Sequence, residues 1–114
     1  MGTKQVSAIT QDQRLLVRKA LHSHGTLVLQ GRVVPFDAID IGLGGTCIAV
    51  SRQLKQEQCC RIDLPLFVNG RRLDVVAVAR VTYCVCGRNG FKAGMQFIEM
   101  INKTSAAAIV QFMR

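Results

Sequence analysis

The sequence predicts a mainly β protein: a six-stranded antiparallel β-barrel closed by a C-terminal α-helix. Three observations predict it. Six apolar stretches of strand length follow one another, one alternating, one loosely so and one rich in valine. Most are joined by short turn signals (Gln30-Gly31, Asn69-Gly70 and Gly87-Arg88-Asn89-Gly90), so strands adjacent in sequence pair as hairpins. Only the last stretch changes period, to helical spacing. A barrel is the economical arrangement because closure leaves no exposed sheet edge.

Residues 1–12 are polar and aperiodic and read as a mobile tail, leaving 13–114 as one domain. Residues 20–29 alternate loosely up to the Gln30-Gly31 turn, and 33–41 return as a strand. Pro35 inside that strand implies an edge or a bulge. Residues 46–50 form a short third strand, and 52–58 are polar and read as a loop. Residues 59–67 and 71–86 flank Asn69-Gly70, a strong hairpin signal. Residues 91–97 complete the set. Asn102 or Thr104 can cap a helix whose apolar stripe is Ala106, Ile109, Val110 and Met113. That helix is long enough to cover one end of a barrel and too short to be stable alone.

Between the second and third strands lies Asp40-Ile-Gly-Leu-Gly-Gly45. Glycines tolerate positive φ and leave backbone N–H groups uncovered, which suits an anion. Asp40 at the lip of the turn cannot serve a phosphate, but a carboxylate accepts from the N–H groups of a base edge. The turn therefore reads as a site for a ligand with both phosphate and base. The plainer reading is a tight turn in which Asp40 caps its own backbone. Upstream, Arg14 and Arg18 are four residues apart and can converge on one anion.

Composition narrows the classes. At 114 residues and net charge +8, the chain is a globular domain suited to an anionic partner. No apolar run approaches the roughly 20 residues needed to span a bilayer, so membrane insertion is not expected. No secretion signal is legible, and a cytoplasmic location is expected. Five cysteines, with Cys59-Cys60 adjacent and Cys84-x-Cys86 spaced by one, lack zinc-site spacing and read as small core hydrophobes in a reducing compartment. His22 and His24 share one strand face and read as surface residues. No catalytic triad, carboxylate pair, phosphate loop or metal spacing is present, so neither an enzyme nor a bound cofactor or metal is expected.

Arg14-x-x-x-Arg18, about twenty residues of hairpin, then Asp40-x-Gly42-x-x-Gly45 resembles the PilZ domain family, whose signature is Arg-x-x-x-Arg followed by Asp/Asn-x-Ser/Ala-x-x-Gly. The order of elements matches as well, including a Gly-x-x-Phe strand (Gly94 to Phe97) and a closing helix. The resemblance extends from about Gln13 to the C-terminus. It implies binding of cyclic di-GMP, a bacterial second messenger. Arg14 and Arg18 would grip guanine edges and phosphates, Asp40 would contact a guanine, and Gly45 would let the backbone turn beneath the ligand. Arginine is the best bidentate partner for guanine, and each charge-assisted hydrogen bond contributes about 1.5–3 kcal/mol. The sequence departs from the signature at Gly42, where the family's usual residue is serine. Loss of one neutral hydrogen bond worth about 0.5–1.5 kcal/mol weakens affinity without abolishing it. An arginine at Gln13 would have favoured a stacked ligand dimer, so a single ligand is expected.

The position of both arginines next to the polar tail suggests a switch: the arginine segment closes over the ligand and the new surface binds or releases a protein partner. Two rivals remain. One is a degenerate domain that no longer binds nucleotide and serves as an interaction module in pilus or flagellar control. The other is a single-strand nucleic-acid binder, which the scarcity of aromatic residues disfavours.

Overall fold

The computed structural model describes residues 17–114. The proposed tail, Gln13 and Arg14 lie outside the described residues. Six strands, β1 (Lys19–Leu29), β2 (Arg32–Ile41), β3 (Gly45–Val50), β4 (Cys59–Val68), β5 (Arg71–Gly87) and β6 (Gly90–Met100), are followed by helix α1 (Lys103–Met113). Every ladder is antiparallel, and the order β1-β2-β3-β6-β5-β4 closes into a barrel. The expected fold class is the observed one.

Alternation drives the closure. From Ser23 onward β1 is buried at every second residue, and Leu27 and Leu29 point inward while Thr26 and Val28 do not. Leu27, Ile41, Ile48, Ile62, Leu64, Leu66 and Met95 are almost fully buried. Each such side chain contributes about 1.5–3 kcal/mol of hydrophobic stabilisation relative to exposure. The turn at Asn69-Gly70 has φ of 52° and 77°, and that at Gln30-Gly31 has 51° and 77°. Two successive positive φ angles match the right-handed twist of the flanking strands. The long β5 pairs with β4 over its first part and with β6 over its last, bending through irregularities in register on the way.

Both prolines sit where one flank of their strand lacks a partner. Pro35 pairs with Thr26 of β1 but lies one residue past the last β2–β3 pair, Phe36–Val50. Pro65 pairs with Asp74 of β5 and lies beyond the short β1–β4 seam, which joins Thr26–Val28 to Arg61–Asp63. A residue without an N–H belongs at such positions.

Three expectations are corrected. The buried stripe of α1 is Ser105, Ala108 and Ile109, with Phe112 packed beside them, whereas Ala106 and Val110 face outward. Ile109 and Met113 keep their places, but the face is turned because a buried serine anchors the helix: the Val76 N–H donates to Ser105 Oγ at 2.9 Å. The loop over residues 52–58 is not uniformly polar at heart, since Leu54 is buried in the core and its N–H donates to Cys84 Sγ. Of the cysteines, Cys47 and Cys60 are buried and Cys84 packs against the core, but Cys59 and Cys86 are exposed. Cys59 takes the outward face opposite Cys60, and Cys86 stands near the tip of the β5–β6 hairpin. Burial pushes the Cys60 thiol up to about 11, with the Cys59 charge adding to it, so Cys60 is a protonated core group.

Candidate ligand site

The glycines of the turn between β2 and β3 do not use the positive φ that glycine tolerates. Among the described glycines only Gly31, Gly70 and Gly90 do so. Gly42 and Gly45 are needed for room. A Cβ on Gly45 would stand 2.0 Å from the Met95 carbonyl oxygen, so β6 passes too close for any side chain. A Cβ on Gly42 would stand 2.2 Å from the carbonyl oxygen of Val17 and 2.9 Å from Cδ of Arg18. The turn closes on itself, since the Gly42 N–H donates to the Gly45 carbonyl at 2.9 Å. The Phe97 N–H donates to the Gly44 carbonyl at 2.9 Å and pins the turn to β6.

Arg18 and Asp40, 22 residues apart, meet at the edge of this turn. Arg18 Nη1 donates to Asp40 Oδ1 at 3.1 Å. The same oxygen accepts the Cys47 N–H at 3.1 Å, so Asp40 also holds its own hairpin, as the plainer reading anticipated. The buried Thr46 hydroxyl donates to the Asp40 carbonyl. The carboxylate and the guanidinium are both about one-third exposed, and both remain within reach of solvent.

The register extends the site across the barrel. Asp40 pairs with Cys47, Cys47 with Gly94, and Gly94 with Tyr83, making one continuous row over β2, β3, β6 and β5. A bulge lies at each end. Ile39 is the extra residue between Ala38 and Asp40, and Thr82 is the extra residue between Val81 and Tyr83. A bulge re-aims the side chain that follows it, and here both re-aimed side chains belong to the same row. The Tyr83 ring lies on Gly94, where a Cβ would be 2.2 Å from Tyr83 Cε2. Its hydroxyl is 3.5 Å from Cys47 Sγ. Cys47 is only 5% exposed and Gly94 is buried, whereas Asp40 is half-buried and Tyr83 exposed. The hydrogen bond with Cys47, with burial and the charges of Cys47 and Asp40 adding to it, pushes the Tyr83 phenol up to about 12, against a lowering by Arg18.

Two rows on, a second arginine is added. Gly45 pairs with Gln96 and Gln96 with Arg80. Arg80 Nη2 donates to Gln96 Oε1 at 2.6 Å, and its Nε, 3.7 Å from Glu57, has no hydrogen bond. Thus Arg18, Asp40, Gly42 and Gly45 come together as the sequence implied, and Arg14 lies outside the described residues. Tyr83, Arg80 and Cys47 were not singled out in the sequence. Their signal is register, which no local pattern carries. Among the described residues no group of three His, Cys, Asp or Glu side chains is arranged to hold a metal ion.

No protein-family model matches the sequence, and no curated protein matches it either. Solved structures do. The PilZ domain of CeSA from a cellulose-synthesizing bacterium superposes with a TM-score of 0.52 at 14% identity, over 82% of this chain and 91% of that one. This chain has a PilZ-like fold. The Bacillus subtilis inhibitor of motility, MotI/DgrA, superposes with a TM-score of 0.74 at 13% identity, over 86% of this chain. The PilZ-like barrel spans about half of that structure, 48% of its length. At such identities the likeness is one of fold, and the chemistry of the site rests on the residues above.

Proposed function

We propose that this PilZ-like domain is a receptor for cyclic di-GMP, a non-enzymatic module that signals to a protein partner. The observation that carries the reading is the Arg18–Asp40 ion pair at the edge of the Gly42–Gly45 turn. It joins the two halves of the sequence signature in space. Arg18 has five N–H donors and spends one on Asp40, so the others suit guanine O6 and N7 or a phosphate. Asp40 accepts from guanine N–H groups. Tyr83 offers an exposed aromatic face beside them for stacking, and Arg80 adds positive charge two rows away. Arg14 would complete the arginine pair. One structural neighbour is named an inhibitor of motility, which supports motility control as an output.

Calorimetric titration with cyclic di-GMP tests the reading. Binding in the low-micromolar range or tighter is expected, with Arg18→Ala weakening it at least about tenfold, the loss of one or two charge-assisted hydrogen bonds. Heat equal to dilution from a folded wild-type protein would refute the receptor and leave the interaction module.

A further inference from the structure

Position 42 is where the sequence departs from the PilZ signature, and the structure offers a reason. Gly42 has an ordinary φ, so its conformation does not require glycine. Its one backbone bond in the turn, from its N–H to the Gly45 carbonyl, is open to any residue except proline. What a side chain there would meet is the arm that leads into β1: the Val17 carbonyl at 2.2 Å and Arg18 Cδ at 2.9 Å. The first of these is backbone and cannot rotate away.

The arm is gripped at three successive residues. Val17 fills the space above Gly42, Arg18 bonds Asp40, and Lys19 reaches the end of α1. Lys19 Nζ donates to the Phe112 carbonyl at 2.8 Å and lies 4.7 Å from the centroid of its ring. Nothing fits between the Val17 carbonyl and Gly42, so a nucleotide cannot approach this side of the turn while the arm lies on it. Asp40 Oδ1 is meanwhile occupied by Arg18 and by the Cys47 N–H.

We infer that Gly42 is a docking notch for the arm, which latches the site closed. Serine at this position would keep the arm off the turn; glycine lets the protein hold Arg18 on its own carboxylate until a ligand displaces it. The latch stands on the contacts that Val17, Arg18 and Lys19 make. Only its consequence for affinity rests on the cyclic di-GMP reading. A closed state that must open first lowers apparent affinity by the fraction of open molecules.

Hydrogen–deuterium exchange on ligand-free wild type, Gly42→Ala and Gly42→Ser tests the latch. Both variants should speed exchange in the segment spanning residues 17–20 by at least about tenfold and leave the β4–β5 ladder unchanged. Unchanged exchange in Gly42→Ala overturns the inference. Lys19→Ala leaves the turn untouched and is the second variant, should Gly42→Ala fail to fold. It should speed exchange in the same segment, and unchanged exchange there overturns the latch as well. In calorimetry with cyclic di-GMP, alanine and serine should both tighten binding, by roughly fivefold or more. Tightening by serine alone would assign the effect to its hydroxyl and overturn the latch. Faster exchange in both variants, with no binding by any protein, supports the latch and defeats the nucleotide reading separately.

Discussion

Tyr83 is the sole tyrosine in a chain without tryptophan, so its titration and fluorescence report on this site alone. Its phenol is pushed up to about 12, first by the hydrogen bond with Cys47. Absorbance at about 295 nm should therefore show ionisation well above the usual 10 or so. Cys47→Ala should return it toward that value, and a titration unaffected by the substitution would show that the bond to Cys47 is not the cause. The sign for stability follows from linkage. The folded state holds this proton more tightly than the unfolded state, so the contribution is complete below about pH 10 and is lost as pH rises through about 12. At the same scale, Arg18, Asp40, Gly42 and Gly45 were legible because they belong to short runs of fixed spacing. Tyr83 and Arg80 were not. Two bulges and three ladders bring them to the site, and each is a property of pairing between distant strands.

At the scale of the element, α1 shows how periodicity can find a helix and misjudge its face. The apolar stripe Ala106, Ile109, Val110 and Met113 has the right spacing, yet the buried face begins at a serine. Hydrophobicity cannot reveal this, because Ser105 is buried for its oxygen. It satisfies the Val76 N–H at 2.9 Å and bonds Asn102 Oδ1, which lies at the N-terminal cap of the same helix. Ser105→Ala should thus destabilise the domain by about 1–3 kcal/mol, the cost of an unpaired buried N–H. Urea denaturation reads the loss as a lower midpoint with an unchanged slope. A change within about 0.5 kcal/mol would mean that the helix is held by Ala108 and Ile109 alone. The strands were more legible than the helix face. Their alternation and their turn dipeptides act locally, and only their ends moved, as in β6, which continues past Phe97 to Met100.

For the whole molecule, closure explains why the site can be separated from the fold. Every ladder of the barrel is made from residues 19–100, and the core is filled from those strands, with Leu54 added by the β3–β4 loop and Ala108 and Ile109 by α1. What precedes Lys19 contributes, among the described residues, the Val17 contact with the turn and the Arg18–Asp40 pair. A partly exposed ion pair is worth about 0.2–1 kcal/mol, small against the stability of a domain. Deleting residues 1–18 should therefore leave the circular dichroism spectrum and the cooperative unfolding transition in place, with the midpoint only slightly lowered. The same deletion removes both arginines of the signature and should eliminate cyclic di-GMP binding. A truncated barrel that retains wild-type affinity would place the ligand elsewhere and defeat the receptor as drawn here. A truncated barrel that fails to fold would show that the contacts of Val17 and Arg18 with the turn are part of the closure itself.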